Sequence, residues 1–433
     1  MIFALNPFDM IVTPNRDIII VGISNSPISN DKTVANYGSN DVWIVCTDSV
    51  GNIKWQNVYG GASSEYFNAR IIRLSNNKYA IGTTSGSNIS GNKTEDCRGY
   101  YDYWVFSIDS LGNKLWDKTL GGSSWDKFSD LVQVSDEELI ILGVSTSPVS
   151  GEKTEGKIND DPNHLSFEGQ DLWIIKYNFM TNTVLWDKTL GGMDEEYLLV
   201  KVAFDEDYIY CLSSTLSGIS GIKTVASFGV LDLWLNKMDT AGNVVLQKVY
   251  GGSGGDIGSS IIVDDNNNLL IGASSGSPIS GNKTEASINS DYWFLNIKTD
   301  GSIIWDKTIA GNKEELLKDM YYNGGNNFIA IGSSNSNVSG DKTESSRNNY
   351  QDEYNDAWII ELSSNVGINS NINNDNSIIE TIRIYNIQGK EVISNSVQQK
   401  EYKLDVSSLS SGVYVVQGIM QNGEVIMAKF IKN

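Results

Sequence analysis

The sequence predicts an all-β chain: a six-bladed β-propeller of four-stranded blades followed by a small C-terminal β-sandwich. Three observations carry this. An Asp-x-Trp pair recurs at Asp41/Trp43, Asp102/Trp104, Asp171/Trp173, Asp232/Trp234, Asp291/Trp293 and Asp356/Trp358, with tryptophan intervals of 61, 69, 61, 59 and 65 residues. A Lys-Thr pair keeps step with it at Lys32, Lys93, Lys153, Lys223, Lys283 and Lys342. The runs between these marks are β-rich, and helical periodicity is weak throughout.

Within one repeat, "DYWVFSIDSLG" and "NKLWDKTLGG" read as strands joined by a Gly-containing turn, and "FSDLVQVSDEE" and "LIILGVSTS" as two more. These are denoted a to d. Trp-x-Lys at Trp116, Trp186 and Trp305, with Asn57 in place of the lysine after Trp55, marks strand b, and Leu246 replaces the aromatic once. A four-stranded unit cannot bury both of its faces alone, and radial packing around an axis covers them. The tryptophans of strands a and b are then the large side chains between blades, each burying roughly 150–250 Å². The chain opens with strands c and d, "FDMIVTPNRDIIIVGISNS", and the repeats end on a lone strand a, "DAWIIELSS". Pairing of those two ends predicts a shared sixth blade that fastens the ring, with its strand b missing.

The propeller occupies residues 1–364. An Asn/Ser-rich stretch, 365–378, reads as a linker, and alternating runs in 379–433 form the second domain. Acidic residues exceed basic ones to give a net charge of −21, which repels nucleic acid and anionic lipid. The tail is near neutral, with six Lys/Arg against five Asp/Glu, so the acidity belongs to the propeller. No apolar run is long enough to span a membrane, and the expected oligomeric state is a monomer.

The tail residues "IRIYNIQGKEV", "LDVSSLSSGVYVV" and "MAKFIKN" closely resemble the type A sorting domain of the Bacteroidetes type IX secretion system. On that resemblance Gly389-Lys390 sits at the first hairpin, Asp405, Leu409, Gly412 and Tyr414 carry the middle signature, and Lys429 and Lys432 the terminal basic motif. An Asn-Pro opening strand before Ile379 is lacking. The resemblance implies recognition by the type IX machinery and a secreted or cell-surface location. Such cargo carries an N-terminal signal peptide, which "MIFALNPFDM" does not resemble, so the precursor is expected to extend upstream of Met1. The repeats likewise look like those of secreted Bacteroidetes propellers, a resemblance that implies fold and address but no activity.

A single histidine, His164, excludes multi-His zinc sites, and no phosphate loop or H-E-x-x-H pattern is present. If strand a is innermost, Asp41, Asp102, Asp171, Asp232, Asp291 and Asp356 lie at the central channel. They then either hold the turn into strand a by bonding backbone donors or form a carboxylate ring able to attract calcium as a cofactor. Glu65, Asp126, Glu195, Asp256 and Glu314 in the b–c loops add a second acidic layer. The varied d-to-a connections supply the ligand-binding candidates Tyr37, Arg98, Tyr100, Tyr101, Phe167, Phe228, Arg347, Tyr350 and Tyr354, aromatics among polar groups that suit sugar rings. The expected function is therefore a binding or adhesion module, with glycans or another surface ligand as partner. The alternatives are a polysaccharide-acting hydrolase or lyase using acidic residues on the loop face, and a purely structural surface protein.

Overall fold

The computed structural model of the chain describes residues 6–158, 169–197, 199–324, 327–346, 356–363, 379–386, 390–399, 412–421 and 425–432. The chain divides into two compact units, Met1–Gly367 and Ile368–Asn433. Every regular element among the described residues is a β-strand.

Blade 1 comprises β1 (Asn6–Val12), β2 (Ile18–Ser24), β3 (Asp41–Thr47) and β4 (Ile53–Tyr59). Blade 2 holds β5 (Glu65–Arg73), β6 (Tyr79–Ser85), β7 (Asp102–Ile108) and β8 (Lys114–Leu120). Blade 3 holds β9 (Asp126–Gln133), β10 (Glu138–Ser145), β11 (Asp171–Asn178) and β12 (Thr183–Leu190). Blade 4 holds β13 (Lys201–Phe204), β14 (Tyr208–Thr215), β15 (Asp232–Asp239) and β16 (Val244–Tyr250). Blade 5 holds β17 (Asp256–Val263), β18 (Leu269–Ser275), β19 (Asp291–Ile297) and β20 (Ile303–Ile309). Blade 6 has three described strands, β21 (Glu315–Gly324), β22 (Asn327–Ser334) and β23 (Asp356–Ser363). Each sheet is an antiparallel meander in chain order, as short connections between successive strands favour.

Two expectations are corrected here. The ends of the propeller do not share a blade: β2 pairs along its whole length with β3, and β22 with β23, so each terminal sheet is built from neighbours in sequence. Nor is the Asp-x-Trp strand innermost. Successive first strands, such as β1, β5 and β9, pack against one another around the axis, which places strand c inside and the Asp-x-Trp strand third.

The repeated motifs meet in a cage that is complete in blades 3 and 5. In blade 3 the Trp173 indole is fully buried, its Nε1 donates to Asp187 at 2.9 Å, and the Lys153 ammonium lies 5.2 Å from the ring centre. The Thr154 amide donates to the same Asp187 carboxylate, and Lys153 donates to Thr189 on the outer strand. Blade 5 repeats this with Trp293, Asp306, Lys283 and Thr284. Four of the six Lys-Thr pairs are followed by glutamate, with Val34 and Val225 at the other two, and that glutamate clips the outer edge: Glu155 accepts from the Thr189 amide and pairs with Lys188, as Glu285 does with Thr308 and Lys307. Asp-x-Trp, Lys-Thr-Glu and Trp-Asp-Lys-Thr recur together because each satisfies a polar group of another that burial would leave bare.

On the apolar side, Trp104 of blade 2 packs with Val42, Ile44 and Tyr59 of blade 1, and Trp173 of blade 3 with Tyr103, Val105 and Leu120 of blade 2. Strand b reaches forward as well: Trp55 Nε1 donates to the Ser110 carbonyl and Trp186 Nε1 to that of Thr240, each on the turn of the next blade.

In the second unit, β24 (Ile379–Asn386), β25 (Glu391–Gln399), β26 (Gly412–Met420) and β27 (Val425–Lys432) form one antiparallel sheet in the order β25-β24-β26-β27. The second layer expected of a sandwich is not among the described residues, and the expected linker lies outside them.

Replacing Trp173 by Ala removes a fully buried indole together with its hydrogen bond. Urea unfolding of the propeller is expected to show a loss of about 3–5 kcal/mol, and a smaller loss for Trp55→Ala, whose ring is only partly buried.

Candidate functional site

The Asp of the Asp-x-Trp pairs open the third strand of each sheet, away from the axis, and so do not form a channel ring. Five of them, Asp41, Asp102, Asp171, Asp232 and Asp291, are fully buried at blade junctions. They hold the preceding loop by accepting backbone N–H groups: Tyr37 and Gly38 donate to Asp41, Arg98 to Asp102, Ile158 to Asp171, Phe228 and Gly229 to Asp232, and Ile288 to Asp291. Asp356 accepts from the Ser346 hydroxyl.

The second acidic layer is buried too, and it is shifted by one residue from the expected positions in two blades. Glu65, Asp126, Glu196, Asp256 and Glu315 are fully buried, whereas Glu195 is part-exposed and Glu314 exposed. Four of these acids begin the inner strand of a blade, Glu196 bridges Thr215 ahead of β13, and each meets the Asp of the blade before. Asp41 and Glu65 share a hydrogen bond, as do Asp291 and Glu315. The Gly-Gly that precedes the inner strand makes room for this contact: a Cβ on Gly60 would lie 2.0 Å from Asp41 Oδ1 and 2.5 Å from Glu65 Oε2. Burial, with the neighbouring carboxyl adding to it, pushes Asp102 up to about 7 and Glu196 up to about 8. Two carboxyls facing each other away from water retain a proton between them.

The axis is occupied by a second set of charges. The same position of each inner strand carries Asp9, Arg70, Asp130, Lys201, Ser260 and Asp319, paired respectively to Val21, Gly82, Leu142, Leu212, Gly272 and Ile331. Arg70 lies 3.3 Å from Asp9, 3.0 Å from Asp130 and 3.2 Å from Asp319. Ser260 donates to Asp319 at 2.8 Å. One guanidinium therefore ties together blades 1, 2, 3 and 6.

Where the repeats diverge, the loop face gathers aromatics. The residue before each strand-a Asp and the residue before each inner-strand acid lie side by side; Tyr101 and Trp125 form a parallel bridge here, as Leu231 and Gly255 do in blades 4 and 5. The matching pairs elsewhere are Asn40/Ser64, Gln170/Glu195 and Ser290/Glu314. Only between blades 2 and 3 are both aromatic. Tyr101 lies 4.7 Å from Trp125 and 5.2 Å from Tyr66, Tyr100 lies 5.8 Å from Trp125, and Phe67 lies 6.1 Å from Tyr101. Lys127 stands over both Phe67 and Trp125, at 5.3 and 5.7 Å, and donates to Gln170 at 3.0 Å. Phe67 and Tyr100 are exposed, and Phe67 takes a φ of 69°. That backbone is costly for a bulky residue, and it follows from an insertion: Glu65 to Arg70 spans five positions where Asp126 to Asp130 spans four.

Of the candidates named from sequence, Tyr100 and Tyr101 enter this cluster. Tyr37 and Phe228 are exposed at other junctions, each lying against the Ser-Gly turn of the next blade, at Gly91 and Gly281. Arg98 pairs with Glu95 and Glu152. Phe167, Arg347, Tyr350 and Tyr354 lie outside the described residues. Tyr66, Phe67, Trp125 and Lys127 were missed, although the same rule, that function sits where repeats differ, would have found Trp125 had it been applied to the b–c loops. On the opposite face a cavity of about 290 Å³ opens between blades 1 and 2, lined by Asp17, Cys46, Asn77 and Tyr79 among others.

Residues 362–433 match the family described as the secretion system C-terminal sorting domain. The tail is a type IX sorting domain. The chain is therefore addressed to the cell surface or the medium, and a Bacteroidetes origin is implied. The match begins within β23, upstream of the expected boundary. In the sorting domain Gly412 pairs with Lys432, Tyr414 with Phe430, and Val415 with Lys429, so the middle and terminal motifs share one hairpin. The Lys390 amide closes the first turn on Asn386 at 2.9 Å. Gly389, Asp405 and Leu409 lie outside the described residues.

None of the curated proteins matches the chain. Among solved structures, Kuenenia stuttgartiensis hydrazine synthase is 9% identical with a TM-score of 0.44, covering 77% of each chain. A Dyadobacter fermentans protein of unknown function is 9% identical with a TM-score of 0.44, covering 78% of this chain and 92% of its own. An ulvan lyase bound to a GlcA–Rha3S saccharide is 8% identical with a TM-score of 0.44, covering 99% and 94%. Beyond export, function has to be read from the residues themselves.

The retained protons at the junctions set a pH dependence. Glu196 titrates near 4.5 unfolded and about 8 folded, so the native state holds a proton that the unfolded chain has released between those values. Its contribution is full below the unfolded value and is lost as pH rises through the folded one. Thermal unfolding of the propeller should show the midpoint falling from about pH 5 to about pH 7.5. Glu196→Gln, which supplies a permanent N–H where the proton sat, should flatten that slope.

Proposed function

We propose that the exported propeller is a carbohydrate-binding module whose contact surface is the aromatic platform of Tyr66, Phe67, Tyr100, Tyr101 and Trp125 beside Lys127. The observation that carries this reading is the clustering of these rings at one junction of an otherwise regular scaffold, with Phe67 turned outward in a left-handed backbone. Pyranose rings present C–H faces that pack on aromatic surface, while their hydroxyls need polar partners at the rim. Lys127 and Gln170 stand there. An exposed apolar patch held at a conformational cost fits a contact surface better than incidental packing.

The acidic pairs of the junctions are fully buried and support no role in acid–base chemistry on a polymer, which requires two accessible carboxyls. The propeller carries a net charge of −21, since Asp375 in the stretch after it cancels the tail's single positive excess, and this favours neutral or cationic glycans over polyanionic ones, with Lys127 a local exception.

Glycan-array screening of the whole chain, followed by calorimetry on the best glycan, is expected to show that Trp125→Ala and Tyr100→Ala each weaken binding about tenfold or more, by analogy with aromatic anchors elsewhere. Tyr37→Ala, on a different junction, should leave it unchanged. Equal affinity for all three variants would remove the platform from the contact surface. In cells, deletion of residues 379–433 should retain the propeller inside the outer membrane, scored by surface labelling of the intact bacterium.

A further inference from the structure

Five junctions of the propeller are sealed by the same residues, and the sixth is not. Ile359 of β23 occupies the position of Ile44, Val105, Ile174, Leu235 and Phe294, one place after each Asp-x-Trp. Those five are at most 1% exposed, whereas Ile359 is 62% exposed. Ile331, paired to Asp319 as Val21 is to Asp9 and Leu142 to Asp130, is exposed where those equivalents are buried. Across the seam, Met10 of β1 matches Ile71, Leu131, Ile261 and Met320, all buried, and is itself 58% exposed. Val12 and Tyr321 are exposed on the same two faces. The inner strands β21 and β1 are not packed together as the other successive inner strands are. Trp43 and Val45 form a small cluster of blade 1 alone, while the equivalent Trp104 is packed into the preceding blade.

The outer edge of β23 is also open among the described residues. In each other blade the equivalent strand carries a strand b. In four of the five that strand supplies the acceptor for the indole, Gln56 for Trp43, Asp117 for Trp104, Asp187 for Trp173 and Asp306 for Trp293, whereas in blade 4 Gln247 turns to Asn236 and Trp234 Nε1 has none. Lys342 already stands 5.9 Å over Trp358, so half of that cage is assembled.

We infer that the seam between blades 6 and 1 is a docking cleft for one further copy of this repeat. The occupant is a strand b lying antiparallel on β23, then Gly-Gly, then a complete blade. The register of the other sheets fixes its chemistry: the Asp or Gln of its Trp-Asp-Lys falls opposite Ile360, and the Lys opposite Ile359, as Asp117 and Lys118 fall opposite Phe106 and Val105. Both walls of the cleft continue established interfaces residue for residue, one being the back face of a preceding blade and the other the tryptophan face of a following one. A blade is what presents the complement of both at once. A strand alone would complete β23 and leave Met10 and Ile359 wet.

The test fuses a duplicate of residues 244–311, which is strand b, Gly-Gly and all of blade 5, ahead of Met1 of the whole chain. A second fusion carries residues 244–253 alone. The long fusion is expected to be a monomer with a raised thermal midpoint and roughly threefold or more lower bis-ANS fluorescence, because exposed apolar surface is what the dye reports. The short fusion should leave the dye signal high. Ile359→Asp should change the midpoint little in the unfused chain and lower it clearly in the long fusion. Loss of the dye signal with the short fusion alone would mean that blade 6 closes directly on blade 1. Loss of that signal on concentrating the unfused chain, with a dimer in sedimentation, would assign the seam to a second copy. An unchanged signal in both fusions would mean that the seam takes no repeat. Each of these three results overturns the inference.

Discussion

The propeller depends on a tryptophan that has to be apolar and polar at once. Its ring fills the space between two sheets, which removes a large area from water, and its single N–H must then find an acceptor inside the sheet. A carboxylate from the neighbouring outer strand meets that need, but a carboxylate so placed must itself be neutralised and bonded. The Lys-Thr pair does this, with the ammonium over the indole face and the threonine amide on the acid, as around Trp173 and Asp187. Remove any member and another is left buried without a partner, which is why the three motifs travel together through the sequence.

The same economy explains why a second buried charge system is tolerated at the junctions. Two carboxyls per interface would repel if both ionised, so burial keeps a proton with them and makes the contact a neutral one. The arrangement fixes the loop before strand a and the start of the next inner strand to each other. Loops held that firmly at both ends can vary in the residues between without loosening the sheets, and the junction of blades 2 and 3 uses this freedom to display its rings.

Much of this was legible in the sequence, and the reasons for the rest are physical. The strict period, the strand content and the sorting tail follow from residue patterns alone. Which strand faces the axis does not, because "DYWVFSI" reads as the apolar inner strand, while the strand that does lie inside, "DKFSDLVQ", carries charges whose partners come from other blades. The turn-holding role of the six Asp was one of two readings left open, and only their burial decides it. Glu195 and Glu196 are adjacent, and the bridge of Glu196 to Thr215, whose hydroxyl donates to its carboxylate, selects the second. The aromatic platform rests on one inserted residue in a bulge, which moves Phe67 outward while its neighbour Phe128 in the next blade stays inside; no count of apolar residues distinguishes the two.

The glutamate that follows four of the six Lys-Thr pairs has an effect that reaches past the fold. By accepting the Thr119, Thr189 and Thr308 amides, Glu95, Glu155 and Glu285 occupy donors along the rim that an outside strand would otherwise pair with. A β-rich protein delivered to the cell exterior is beyond the reach of cytoplasmic chaperones. Blunted perimeters of this kind oppose sheet extension between molecules, so the repeat that builds each molecule also discourages their coalescence into fibrils.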